Sequence, residues 1–139
     1  MNIDKILIEE KLSSLYKCLN RIKINTPDSA EKLKSDIDKQ DIINLNLQRA
    51  IQISIDIASH ILSGGFSETA KTMTEVFGKL HEKKVIASET AYSLVKAVGF
   101  RNIAVHEYNT IDMDILYAIA TKNISIFYKF GETVLKLIM

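Results

Sequence analysis

Apolar positions recur along this chain mostly at helical spacing. Ile3, Leu7, Leu12, Leu15, Tyr16, Leu19 and Ile22 define a first amphipathic helix that ends before Asn25-Thr26-Pro27-Asp28. Residues 28–40 are charged and read as a connector with room for a short helical piece. A second long apolar segment covers 41–62. Within it Leu45, Leu47, Ile51, Ile53, Ile55 and Ile57 fall on odd positions, the signature of a strand. That run exceeds the usual strand of about 5–6 residues. Ala50, Ile51, Ala58, Ile61 and Leu62 also sustain a helical stripe, so the expectation is a helix buried on two sides. Ser63-Gly64-Gly65 is expected to stop it. Ser67 or Thr69 is expected to cap the next helix, with Ala70, Met73, Val76, Phe77 and Leu80 inward. A polar turn follows at His81–Lys84. Ser88 is expected to cap a helix with Ala91, Leu94, Val95 and Val98 on its apolar face, loosened at Gly99. Asn109-Thr110 breaks the chain, and a last helix from about Asp112 uses Ile115, Leu116, Ile119, Ile126, Phe127, Phe130, Val134, Leu135 and Leu137. The pattern predicts an all-α, antiparallel up-and-down bundle of four to five helices in one domain over residues 1–139.

Composition narrows the function classes. The chain has 139 residues, 18 basic and 17 acidic. A balance this even gives no global field toward nucleic acid or membrane, so nucleic-acid binding must rest on a local patch. No apolar run approaches the roughly 20 residues that span a bilayer. The acidic residues in MNIDKILIEEKL do not suit a signal peptide. The lone Cys18 forms no internal disulfide and fits a reducing, cytoplasmic setting. No Cys/His cluster has zinc spacing, and Gly64-Gly65 lacks the Lys-Ser/Thr of a phosphate loop, so neither a metal nor a cofactor is expected.

One stretch stands apart. GFRNIAVHEYN, residues 99–109, places Arg101, Asn102, His106, Glu107 and Tyr108 within eight positions. On a continuous helix Arg101 and His106 lie about 140° apart, whereas Asn102 and His106 share a face and Arg101 nearly aligns with Tyr108. Two devices would make the set converge: a bend at Gly99, or a second copy of the motif facing the first across a dimer interface.

RNIAVHEY resembles the Arg-x4-His-x-Tyr motif of the HepT toxins, a branch of the HEPN-domain ribonucleases. AIQISIDIASHIL, residues 50–62 with Asp56 and His60, resembles the family's second helix, and EYNTIDMDILY continues the pattern downstream. The resemblance implies a helical homodimer whose interface forms a metal-independent RNA-cleaving cleft. It also implies a small MNT-type nucleotidyltransferase partner, an antitoxin that transfers AMP to the motif tyrosine, Tyr108. No nucleotidyltransferase motif is present in this chain, so that activity must come from elsewhere.

The residue types suit such chemistry. Metal-free RNA cleavage uses the 2′-hydroxyl as nucleophile and needs a proton acceptor, a proton donor and cationic stabilisation of the phosphorane. His106 fits the acid/base role, Arg101 the phosphate clamp, and Asn102 an orienting or phosphate-contacting role. Lys79, Lys83, Lys84 and Lys96 are candidates for holding RNA phosphates. Each residue also has a plain structural reading. Arg101 could pair with Glu107 or Asp112, His106 could sit at a helix end for the dipole, and Tyr108 could be a half-buried aromatic. The lysines read equally well as a solvated turn, and Asp56 with His60 as a polar pair that fixes helix packing. A second functional class stays open beside the toxin ribonuclease: a non-catalytic helical substrate-binding or partner subunit of a small nucleotidyltransferase.

Overall fold

The computed structural model describes residues 2–139. Its long helices are α1 (Lys5–Asn25), α3 (Ile37–Phe66), α4 (Met73–Glu82), α5 (Ser88–His106) and α7 (Ser125–Ile138). Two short helices occupy the connectors, α2 (Ala30–Lys34) and α6 (Met113–Ala118), and a π-turn over Ile119–Asn123 joins α6 to α7.

Asp4 caps α1, its side chain accepting from the Leu7 N–H at 3.1 Å. α1 and α3 run antiparallel: Asn2 N–H donates to Gly64 O at 2.7 Å near one end, and Lys39 Nζ donates to Asn25 Oδ1 at 2.9 Å near the other. The odd-position pattern of α3 has a helical cause. α3 packs against α1 on one side and α4 and α5 on another, so Leu47, Ile51, Ile55 and Ile57 of that pattern are buried with Ala58 and Ile61, whereas Ile53 is half-buried and Leu45 exposed. The centre of the core is aromatic, with Phe77 and Phe130 edge to face at 6.0 Å between centroids.

Several boundaries differ from expectation, each for a local reason. Ser63-Gly64-Gly65 does not stop α3, which runs to Phe66 and ends on Ser67 in the left-handed region at φ 53°. Gly64 serves close approach instead: a Cβ there would lie 2.5 Å from Asn2 O. Neither Ser67 nor Thr69 caps α4. Thr72 does, accepting from Glu75 N–H at 3.2 Å, while the Glu75 carboxylate accepts from Lys71 N–H. Met73 therefore opens α4 with its side chain 42% exposed rather than inward. Ser88 is the first residue of α5 and Ala87 stands at its cap without a side-chain bond. Gly99 does not interrupt the helix; α5 continues to His106. Asp112 caps the short α6, accepting from Asp114 N–H at 2.8 Å.

Candidate active site

α5 delivers the polar cluster to its own C-terminal end. Glu107 N–H donates to Ile103 O at 2.7 Å, and the chain then turns through a single 3-10 turn, Tyr108–Thr110. Thr110 closes that turn, its N–H and its hydroxyl both donating to Glu107 O, at 3.0 and 2.8 Å. His106 is thus the last helical residue and Tyr108 lies beyond the helix.

This geometry separates the side chains. Arg101 is half-buried and its Nη1 approaches Met73 Sδ of α4 at 3.7 Å. Among the described residues it forms no ion pair, so the expected partners Glu107 and Asp112 do not hold it. Asn102 and His106, four apart on one helix face, are exposed. Neither donates or accepts a side-chain hydrogen bond among the described residues. Tyr108 turns the other way, its Oη donating to Asp41 Oδ1 on α3. Arg101 and Tyr108 are therefore not aligned, because the helix that would align them stops at His106. The hydrogen bond to Asp41, with burial and the carboxylate's charge behind it, pushes the Tyr108 phenol up to about 12. Sequence spacing gives no sign of Asp41: it lies 67 residues from Tyr108.

A cleft of about 500 Å³ opens beside the motif, between α3, α5 and the α6–α7 segment. Phe100, Ile103, Ile111, Ile115, Ile119 and Phe127 line it, with Lys96, Asp112 and Asn123 among its polar members. Ile103, Val105 and Ile115 expose 48, 47 and 53% of their surface.

The other candidates divide. Lys83 is engaged, 2.8 Å from Glu68 Oε1 and 5.9 Å from the Phe66 ring centroid. Its ammonium holds the Glu68 carboxyl below the usual range. Lys79 donates to Thr69 O at 2.8 Å and pairs with Glu75. Lys96 sits over the Tyr92 ring at 4.8 Å, at the cleft. Lys84 is exposed in a left-handed turn at φ 61°. Asp56 and His60 do not bond to each other. Asp56 accepts from Gln52 at 2.9 Å and lies 3.7 Å from Lys11, whereas His60 Nε2 accepts Asp4 N–H at 3.0 Å. Both tie α1 to α3 and neither reaches the motif. Among the described residues no three His, Cys, Asp or Glu side chains converge as a metal site.

The model of the family described as "Ribonuclease HepT-like" matches residues 15–134. An mRNA nuclease HepT of Shewanella oneidensis is 30% identical over 128 residues, which are 92% of this chain and 96% of that protein. A tRNA nuclease HepT of Aphanizomenon flos-aquae is 33% identical over 111 residues, 80% of this chain and 76% of that one. The solved structure of the tri-AMPylated Shewanella oneidensis HEPN toxin in complex with MNT antitoxin superposes with a TM-score of 0.88 at 31% identity, covering 96% of this chain and 98% of that one.

Proposed function

The chain belongs to the HepT-like ribonuclease family, and we propose that it is the RNA-cleaving toxin of a toxin–antitoxin pair. The observation that carries this reading is the Arg101-x4-His106-x-Tyr108 set, presented at the solvated end of α5 with its guanidinium and imidazole in no ion pair among the described residues. Two copies of the chain meet over the exposed apolar surface around Ile103, Val105 and Ile115. They bring two Arg101 and two His106 into one groove. There Arg101 clamps the scissile phosphate through two N–H donors. His106 of the other chain takes the 2′-hydroxyl proton and returns a proton to the leaving 5′-oxygen. Asn102, on the His106 face, contacts the phosphate or orients the imidazole. Lys84 and Lys96 hold flanking phosphates, with Lys83 contributing where Glu68 releases it.

The partner is an MNT-type nucleotidyltransferase that silences the toxin by transferring AMP to Tyr108. The attached phosphate brings negative charge to the groove and the nucleoside obstructs the RNA path. The assembly works in the cytoplasm, where RNA and ATP are both at hand. The reading as a non-catalytic partner subunit has less behind it, since relatives matched over most of the chain carry nuclease names.

The test uses purified, unmodified protein and RNA. Cleavage is expected with and without chelator, and to be lost in His106→Ala. Incubation with the partner enzyme and ATP is expected to raise the intact mass by one or more AMP units and to stop cleavage. His106→Ala cutting RNA as fast as wild type would sink the assignment.

A further inference from the structure

Tyr108 is tied to α3. Its Oη donates to Asp41 Oδ1, a contact between the turn after α5 and the first turns of a helix 67 residues away. Among the described residues Asp41 takes part in no ion pair. The nearby lysines of the second and third helices are committed elsewhere: Lys34 to Asp114 and Glu31, and Lys39 to Asn25. The other titratable groups on the two segments that meet here are Asp38 and Lys39 on α3 and His106, Glu107 and Asp112 around the turn. None of them bonds to Asp41 or Tyr108 among the described residues. Asp41 is therefore a carboxylate in contact with a phenol and in no ion pair among the described residues.

That pairing raises a chemical requirement. A phenol held at about 12 carries almost no phenolate at neutral pH. It becomes an effective nucleophile only if its proton has somewhere to go as the new bond forms. Phosphoryl transfer to hydroxyl groups by protein kinases meets the same need with an aspartate that accepts the substrate's proton. Asp41 already accepts a hydrogen bond from the proton in question.

We propose that Asp41 is the proton acceptor for nucleotidyl transfer to Tyr108, supplied in trans by the substrate protein to the enzyme that modifies it. The inference rests on the reading of Tyr108 as the AMP acceptor. Tyr108 Oη attacks the α-phosphorus of the ATP bound to the nucleotidyltransferase. The Oη–P bond forms, the bond from that phosphorus to the bridging oxygen breaks, and pyrophosphate leaves with the electron pair. The phenolic proton passes to the Asp41 carboxylate and from there to water. Afterwards Oη has no hydrogen to donate and a phosphodiester anion stands beside Asp41, so the contact that anchored the turn is gone.

The test is the initial rate of AMP incorporation, read by intact mass with the partner enzyme and saturating ATP, between about pH 6 and pH 9. Asp41→Asn keeps the size and the accepting oxygen but takes no proton. It is expected to slow transfer on the order of a hundredfold at neutral pH. Its rate relative to wild type is expected to climb with pH as phenolate forms unaided, and Asp41→Glu is expected to recover part of the loss. Should the amide variant melt early, Asp41→Ser removes the base at the same exposed helix position and carries the same comparison. Transfer to Asp41→Asn at the wild-type rate with an unchanged pH profile overturns the role of Asp41 and leaves Tyr108 as acceptor. Wild-type protein that gains no AMP on Tyr108 fails the underlying reading instead.

Discussion

A phenol that donates to a carboxylate gives up its proton late. Tyr108 stands at about 12 against an ordinary 10.0. A group whose folded pKa is raised stabilises fully below its unfolded value and loses that contribution as pH climbs through the folded one. The Tyr108–Asp41 contact is thus whole below about pH 10 and lost between there and about 12. Alkaline difference absorbance should show Tyr108 titrating at lower pH in Asp41→Asn, while Tyr16, raised mainly by burial, stays late in both proteins; an alkaline titration that is the same in the two proteins contradicts the contact. For RNA cleavage, Arg101→Lys keeps the charge and loses the two-pronged donor, so turnover is expected to fall at least tenfold with the melting temperature unchanged. The motif itself was legible because its chemistry is concentrated in eight consecutive positions. Asp41 was not, because nothing in local spacing announces a contact made only by folding. The same holds for His60, whose imidazole accepts a backbone N–H of residue 4.

At the scale of elements, periodicity found the long helices because each buries a continuous stripe, and it survived even the strand-like alternation of α3. It failed at ends. The paired glycines after Ser63 read as a stop, yet Gly64 is helical and its missing Cβ admits the backbone of Asn2. Gly64→Ala is accordingly expected to destabilise by roughly 1–3 kcal/mol through overpacking. Gly99→Ala, with open space around its Cβ position, should be neutral or slightly stabilising, as a helix interior favours alanine by about 1 kcal/mol. Thermal denaturation of the two variants side by side separates a glycine kept for contact from one that is not. Equal melting points would contradict that distinction. The caps were missed for a simpler reason: Ser67, Thr69 and Thr72 are all competent, and only Thr72 has Glu75 in place to answer it.

For the whole molecule, the surface around the motif is the informative part. One chain spreads Arg101, His106 and Tyr108 toward α4, solvent and α3, and leaves apolar side chains exposed between them. Under the proposed function, a second copy covers that surface and completes the catalytic set. Ile103→Asp with Val105→Asp is expected to shift the protein to monomer in sedimentation and to abolish RNA cleavage, with helix content kept; a fully active monomer would break the link between assembly and activity. The sequence carried the motif's angular spread, and hence the need for convergence, but not the side to which each group turns, which depends on where α5 ends.

Mixing two inactive variants tests the shared groove most directly. Arg101→Ala and His106→Ala are each expected to be inactive as homodimers. After subunit exchange, the mixed dimer holds one arginine from one chain and one imidazole from the other. The account predicts that RNA cleavage returns in proportion to the mixed dimer. A mixed dimer, confirmed by native mass and as inactive as its parents, would contradict it.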